Sequence, residues 1–419
     1  MRWLRPVLWG VAAFAAIYVA LDLNKLYALR YGTDLGIFLQ TIANLAHGSS
    51  WNFGEWRPHF QVHDSWVLFA AVPPVALIPR AETLIVFQVL LLALAAIPLA
   101  LFAREAGLSA ANANLLAIAY LLSPATQGIA YDNFSENDFV PALAFTLALA
   151  VRRRAFWPAL IGAQLLMGVK EDEILFVAWF AAACAIFWDR RLGVAALALA
   201  AVNGAAYWGV EHLLHAVPAA PHYGLAIGDS GGKLTLAVML LVPFAFAPLA
   251  AGCRLLLGLP VVAEIVFAQN AAYEPSRLGS HYTAPLLALT AIAAALGARH
   301  IPALGRAMVP CALVAMLLIF NDTVLRPGRW PYLVDWSAYA SAQRTRETMV
   351  PVLLGRHDEG IWAIAAVNPL VRLSQRPDPR FVACPDYNRN ARAFFESLGI
   401  GTRERWKLCG GVPVGAVQR

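Results

Sequence analysis

Apolar stretches recur along this chain at the spacing of bilayer-crossing helices, and that periodic grease leaves few folds open. A backbone amide in hydrocarbon must find its partner within its own segment, so each run of suitable length predicts an α-helix. The runs fall near residues 4–21, 82–103, 112–130, 137–151, 155–169, 173–188, 192–210, 234–252, 256–269, 283–297 and 304–320. They predict an all-α polytopic membrane protein with about eleven transmembrane helices, some short enough to need tilt or a locally thinned bilayer. Composition argues against a water-soluble body: 60% of the 419 residues are hydrophobic and 14% charged, where soluble domains are about half apolar and a quarter charged. The segment 65–79, SWVLFAAVPPVALIP, is short and carries Pro73-Pro74, which suits an interfacial or re-entrant helix better than a span.

Basic residues orient the runs. The start, Met1-Arg2-Trp3-Leu4-Arg5, leads into an apolar stretch too long for a cleavable signal and reads as a first helix with its N-terminus in the cytoplasm. Alternation then puts Arg104, Arg152-Arg153-Arg154, Arg190-Arg191, Arg254, and Arg299 with Arg306 on that same side. The opposite, outer side receives a large first loop, 22–81, the edges 131–136, 170–172, 211–233 and 270–282, and the tail. Residues 322–419 hold 14 basic and 9 acidic side chains against 18 and 17 in 1–321, so the net charge of +6 lies almost wholly in the tail. The expected division is a transmembrane domain, 1–321, and a small soluble α/β extracytoplasmic domain, 322–419. In the tail, strands are expected at Ile361–Val367 and Phe381–Cys384, and helices at Asp335–Leu354 and Arg389–Leu398. Cys384 and Cys409 sit there either bridged or as free thiols. Scattered arginines mixed with acids do not make a nucleic-acid face.

Ionisable groups at a membrane edge are costly and mark candidate sites. Asp34 opens an amphipathic stretch with Leu35, Phe38, Ile42 and Leu45 at helical spacing, a helix expected to lie in the interface; Asp34 is open to a capping role or a chemical one. Further along the first loop come Glu55, Arg57, His59, His63 and Asp64, and two histidines four apart followed by an acid can begin a metal site. The second outer edge, YDNFSEND, brings Asp132, Glu136 and Asp138, open to capping or function. At the third edge, GVKEDEIL, Lys170 is one of four lysines and precedes Glu171, Asp172 and Glu173; solubility alone does not explain that group. The fifth edge adds Glu274, Arg277 and His281, cations suited to a phosphate. Glu264 is a lone acid inside an apolar run.

The order DLGIF-x-Q from Asp34, His63-Asp64-Ser65, an acidic turn before Pro141, Lys170-Glu171-Asp172, and His281-Tyr282 resembles a bacterial family of predicted membrane proteins of unknown function. That family is similar in layout to the GT-C superfamily of glycosyltransferases, which take a sugar from a polyprenyl-phosphate carrier on the extracytoplasmic side. The resemblance implies an inner-membrane location and a lipid-linked sugar donor. It also implies an essential first-loop acid at Asp34, a second acid at Glu136 or Asp138, and a possible requirement for Mg²⁺ or Mn²⁺. Phe134 stands where the family turn carries a histidine, and Asp64 where the first-loop element carries a phenylalanine. Lys170, Glu171, Asp172, Arg277, His281, His59, His63 and Asp64 are the expected substrate-side residues. A transporter or flippase for a lipid or envelope precursor, or a non-catalytic scaffold, are the alternatives. A transporter is expected to place its polar groups near the bilayer midplane rather than at one edge.

Overall fold

The computed structural model describes residues 2–27, 31, 33–52, 57–213, 230–267 and 279–318, together with strand segments at 361–363, 378–383, 405–409 and 412–416. From the N-terminus a 3-10 turn enters α1 (Arg5–Tyr27), followed by α2 (Thr33–Leu45), a hairpin of β1 (Trp51–Asn52) and β2 (Arg57–Pro58), and α3 (Val72–Leu77). Next come α4 (Ala81–Leu94), α5 (Ala96–Glu105), α6 (Ala110–Leu122), α7 (Pro124–Tyr131), α8 (Val140–Arg152), α9 (Phe156–Met167), α10 (Glu171–Phe187) and α11 (Arg190–Leu213). The remaining helices are α12 (Ser230–Leu241), a kinked 3-10 segment (Ala247–Gly258), α13 (Leu259–Phe267), α14 (Ala284–Ala298) and α15 (Pro302–Leu318).

Most expected apolar runs became helices, but fewer are full-length spans. Among the described residues five helices are long and apolar enough to cross a membrane: Arg2–Leu26, Ala81–Glu105, Arg190–Gly209, Ala247–Phe267 and His281–Ala298. By length and apolarity the described helices do not reach the expected count of about eleven. The run at 112–130 is broken at Ser123, where Pro124 lacks an amide hydrogen and starts α7 afresh. The run at 234–252 is broken at Ala245 and Phe246, both left-handed at φ 51° and 56°, and Gly252, at φ 64°, kinks the segment Ala247–Gly258 from within. The segment around Pro73-Pro74 is helical but short, a 3-10 turn from Trp66 to Ala71 passing into α3.

Short helices still connect the two polar ends. A 3-10 turn, Glu136–Phe139, precedes the 13 residues of α8; at their ordinary rises the two together extend roughly 27 Å. The same arithmetic gives about 25 Å for α10 and about 28 Å for α14 with its leading turn His281–Thr283. A hydrocarbon core is about 30 Å thick, so each of the three falls a few ångströms short of it. Acids and Lys170 mark one end of these helices, and Arg152, Arg190 and Arg299 follow the other.

Packing follows membrane rules. Leu8, Trp9, Trp157, Ile161, Ile186 and Val202 are exposed, the outward apolar surface that lipid covers. Inside, small residues let backbones approach: a Cβ on Gly297 of α14 would sit 1.9 Å from the Ala247 carbonyl oxygen, so only hydrogen fits there. Polar side chains close the remaining backbone groups. Tyr18 donates to Gln127 Oε1 at 2.6 Å, tying α1 to α7, and Gln88 of α4 donates to the Ile129 carbonyl at 3.1 Å near the end of α7. Ser109 accepts from the Asn112 amide as the N-cap of α6.

In the tail, β3 (Ile361–Ala363), β4 (Asp378–Ala383), β5 (Arg405–Cys409) and β6 (Val412–Ala416) pair in the order β3-β4-β6-β5. β3 and β4 are parallel and the other pairs antiparallel. β3 and β4 fall on the two expected strands; β5 and β6 were not anticipated, although Gly410-Gly411 between two β-prone runs is a hairpin signal. The expected helices at 335–354 and 389–398, and Cys384, lie outside the described residues.

Candidate functional site

Sequence-distant edges meet where the acidic ends of the helices gather. Lys170, immediately before α10, sits with its ammonium 3.8 Å from Glu136 Oε1, and both side chains are nearly closed to solvent. At that separation the two are paired as charges, while the donors of the ammonium are not spent on Glu136. The same ammonium lies 5.4 Å from the centre of the Tyr282 ring. Burial alone would pull Lys170 down, but Glu136, then Asp172, Tyr282 and Glu171, raise it above the usual lysine range. Glu136 answers in kind. Burial pushes its carboxyl up, and Lys170 with His63 and His59 outweighs that and holds it below its ordinary value.

Two histidine–carboxylate pairs flank this ion pair. His63 Nδ1 donates to Glu171 Oε1 at 3.0 Å, and the Asp64 amide donates to Glu171 Oε2 at 3.3 Å. His281 donates twice to Asp132 Oδ2, from its backbone amide at 3.3 Å and from Nδ1 at 3.1 Å. A carboxylate that accepts from Nδ1 fixes the tautomer and leaves Nε2 as the ring's proton acceptor when neutral. Burial raises the Asp132 carboxyl, while His281 and then Lys25 more than offset it, so the group stays below its ordinary value.

The His281 turn is held by a close backbone contact. A Cβ on Gly128 of α7 would meet the Gly279 Cα at 2.3 Å, and Gly279 itself lies at φ +91°. Two glycines facing each other therefore let the segment before α14 rest directly on α7, which brings His281 onto Asp132.

Asp34 lies in the first turn of α2, inside the helix rather than at its N-cap, and its charge acts on His281. Leu35, Phe38, Leu39 and Ile42 are buried, so α2 is enclosed by protein on that face, deeper than the interfacial helix expected. Asp138 is committed to structure: it accepts from the Ser135 amide at 2.9 Å in a capping box with Ser135, and it is fully buried. Its second oxygen, Oδ1, is buried without a hydrogen-bond partner among the described residues.

The spacing of His59, His63 and Asp64, which can begin a metal site, is not used for one among the described residues. Among the described residues no three His, Cys, Asp or Glu side chains are grouped to hold an ion. His63 turns to Glu171, and Asp64 accepts from the Trp66 indole. His59 packs edge-on against Phe38, 5.4 Å between ring centres, and Phe38 does the same against Phe134. Phe134, where the family turn was expected to carry histidine, thus serves an aromatic wall. Glu55, Glu274 and Arg277 lie outside the described residues.

Sequence reasoning missed Lys25. It donates to the Tyr131 carbonyl and lies 4.2 Å from the Tyr31 ring and 4.7 Å from the Tyr131 ring. α1 runs to Tyr27, past the expected end near Leu21, so Lys25 and Asp22 belong to a helix rather than to a first outer loop starting at 22. The rarity of lysine in this chain was the available signal.

Residues 25–210 match the family model described as Predicted membrane protein (DUF2079). The match supports a family of predicted membrane proteins, in line with the apolar helices. Every site residue from Lys25 to Glu173 falls within the matched segment, and His281 outside it. No curated protein and no solved structure matches the chain.

Proposed function

We propose that the protein is a membrane glycosyltransferase that moves a sugar from a polyprenyl-phosphate-linked donor to an envelope acceptor on the extracytoplasmic side of the bacterial inner membrane. In this reading residues 1–321 form a GT-C-like transmembrane domain with the N-terminus in the cytoplasm, and 322–419 a soluble extracytoplasmic domain. One observation carries it. Lys170, its ammonium donors unspent on Glu136, stands in a layer of carboxylates and histidines at one membrane edge, where a lipid phosphate arrives.

Transfer then proceeds as follows. The acceptor hydroxyl gives its proton to a carboxylate base, for which Asp34 beside His281 is the candidate. Its oxygen bonds to the anomeric carbon as the bond from that carbon to the donor phosphate oxygen breaks, and the phosphate leaves with the electron pair. Lys170 stabilises the charge that grows on that phosphate, and Glu136 holds Lys170 in position. The His281–Asp132 pair offers an alternative proton acceptor at the same edge.

The test is consumption of lipid-linked sugars by purified protein in detergent, with EDTA, Mg²⁺ and Mn²⁺ arms. Wild type is expected to consume a donor and Asp34→Asn to lose at least a hundredfold in rate, the usual scale for removing a general base. A wild-type protein inert toward a broad donor panel, or an Asp34→Asn variant of unchanged rate, overturns the reading.

A further inference from the structure

At the arginine-bearing ends of the helices lies a cavity of about 360 Å³ that the transfer reading does not use. Arg152, Arg154, Arg254 and Arg299 line it, with Asp189 as the single acid on its wall. They come from the end of α8 and the residues after it, the kinked segment Ala247–Gly258, and the C-cap of α14. None of the four pairs with a carboxylate among the described residues. Arg152 donates to the Glu105 carbonyl at 2.8 Å, Arg254 to the Ala251 carbonyl at 3.5 Å, and Arg299 to a His300 ring nitrogen at 3.1 Å. The neighbouring Arg153, by contrast, pairs with the Glu105 carboxylate at 3.1 Å. Asp189 offers little relief, since its Oδ1 accepts from the Leu192 amide at 3.0 Å.

Arg152 and Arg154 are exposed and Arg254 and Arg299 half-buried, and four guanidinium groups against one partly committed acid make a positive field that favours an anion. The guanidinium fork matches phosphate oxygens two at a time. Two further observations select a lipid rather than a free ion. Trp188 on the cavity wall is 49% exposed and marks the headgroup level. Phe180, Leu257 and Ile292 also line a second cavity of about 110 Å³ between α8, α10, α13 and α14, apolar in all its lining residues but Glu173, so largely hydrocarbon-lined space adjoins the cationic one.

We infer that this chamber binds the phosphate headgroup of an anionic phospholipid, with part of an acyl chain in the adjoining apolar cavity. Basic pockets between transmembrane helices take such headgroups. The inference uses none of the residues assigned to transfer and stands or falls apart from it.

The experiment is native mass spectrometry of the full chain released from detergent, titrated with phosphatidylglycerol or with phosphatidylcholine of the same chains, and with inorganic phosphate as competitor. Wild type is expected to retain phosphatidylglycerol in preference to phosphatidylcholine, and millimolar phosphate is expected not to displace it. Arg254→Gln and Arg299→Gln should each weaken retention about fivefold, Arg299→Lys should restore most of it, and Arg153→Gln should leave it unchanged. Melting curves check that each variant is folded. Equal retention of the two lipids, displacement by free phosphate, or an Arg153→Gln loss as large as that of Arg254→Gln overturns the inference.

Discussion

Replacing Lys170 by methionine should destabilise the protein more than replacing its partner Glu136 by glutamine, although both changes break the same ion pair. The reason lies in the surroundings. Glu136→Gln leaves Lys170 with Asp172 and Glu171 still acting on it, so the ammonium keeps compensation and the cost should be about 1–2 kcal/mol. Lys170→Met leaves Glu136, Glu171 and Asp172 facing one another without their central cation, and stranding buried charge costs about 3–5 kcal/mol. Followed by intrinsic fluorescence of the 13 tryptophans, that is a fall in melting temperature of roughly 6–10 °C for Lys170→Met against 2–4 °C for Glu136→Gln, at about 2 °C per kcal/mol for a body this large. The pH dependence sharpens the test. In wild type Glu136 is held below its ordinary value, so its contribution is complete above pH of about 4.3 and is lost as pH falls through the lowered value. In Lys170→Met burial prevails and the carboxyl rises above its ordinary value, so the variant should gain more stability than wild type as pH is lowered from 8 to 5. Equal losses in the two variants, or a Lys170→Met protein indifferent to pH over that range, would refute the argument.

Gly128→Ala places a methyl where the Gly279 backbone lies. It should cost about 1–3 kcal/mol by melting and reduce donor turnover by separating His281 from Asp132; an Ala variant with wild-type melting and turnover would remove the close contact as the positioning device. Tyr18→Phe leaves the buried Gln127 without its phenol donor and should lower stability by about 1 kcal/mol, read as a melting shift with unaltered turnover. Asp132→Asn should abolish the acid sensitivity owed to that carboxylate. Wild type loses its contribution as pH falls below about 3.9, through the lowered value, and the Asn variant should start lower at pH 7 and change less on acidification.

Much of the helical layout was legible because hydrocarbon allows one local solution for a backbone. The runs at 82–103, 155–169, 173–188, 283–297 and 304–320 each fall on helices with ends within a few residues of the reading. The span count was less legible, because hydropathy does not register a backbone break such as Pro124 or the left-handed turn at Ala245-Phe246. At the site, the residue types and their common edge could be read, and their partners could not. His63 meets Glu171 and His281 meets Asp132 across separations of 108 and 149 residues, so local spacing suggested a metal trio at His59, His63 and Asp64 that tertiary packing does not make. Asp138 shows the reverse. Ser135-x-x-Asp138 before an apolar run is a capping box in plain sequence, and the structure uses it so.

Where α8 and its leading turn span less than a full hydrocarbon thickness, neighbouring lipids must shorten or the helix must stand almost upright. Lipids that shorten there would thin the membrane around the protein. Such thinning would bring headgroups of the two leaflets nearer to each other at the helices that carry Lys170 at one end and the arginines at the other.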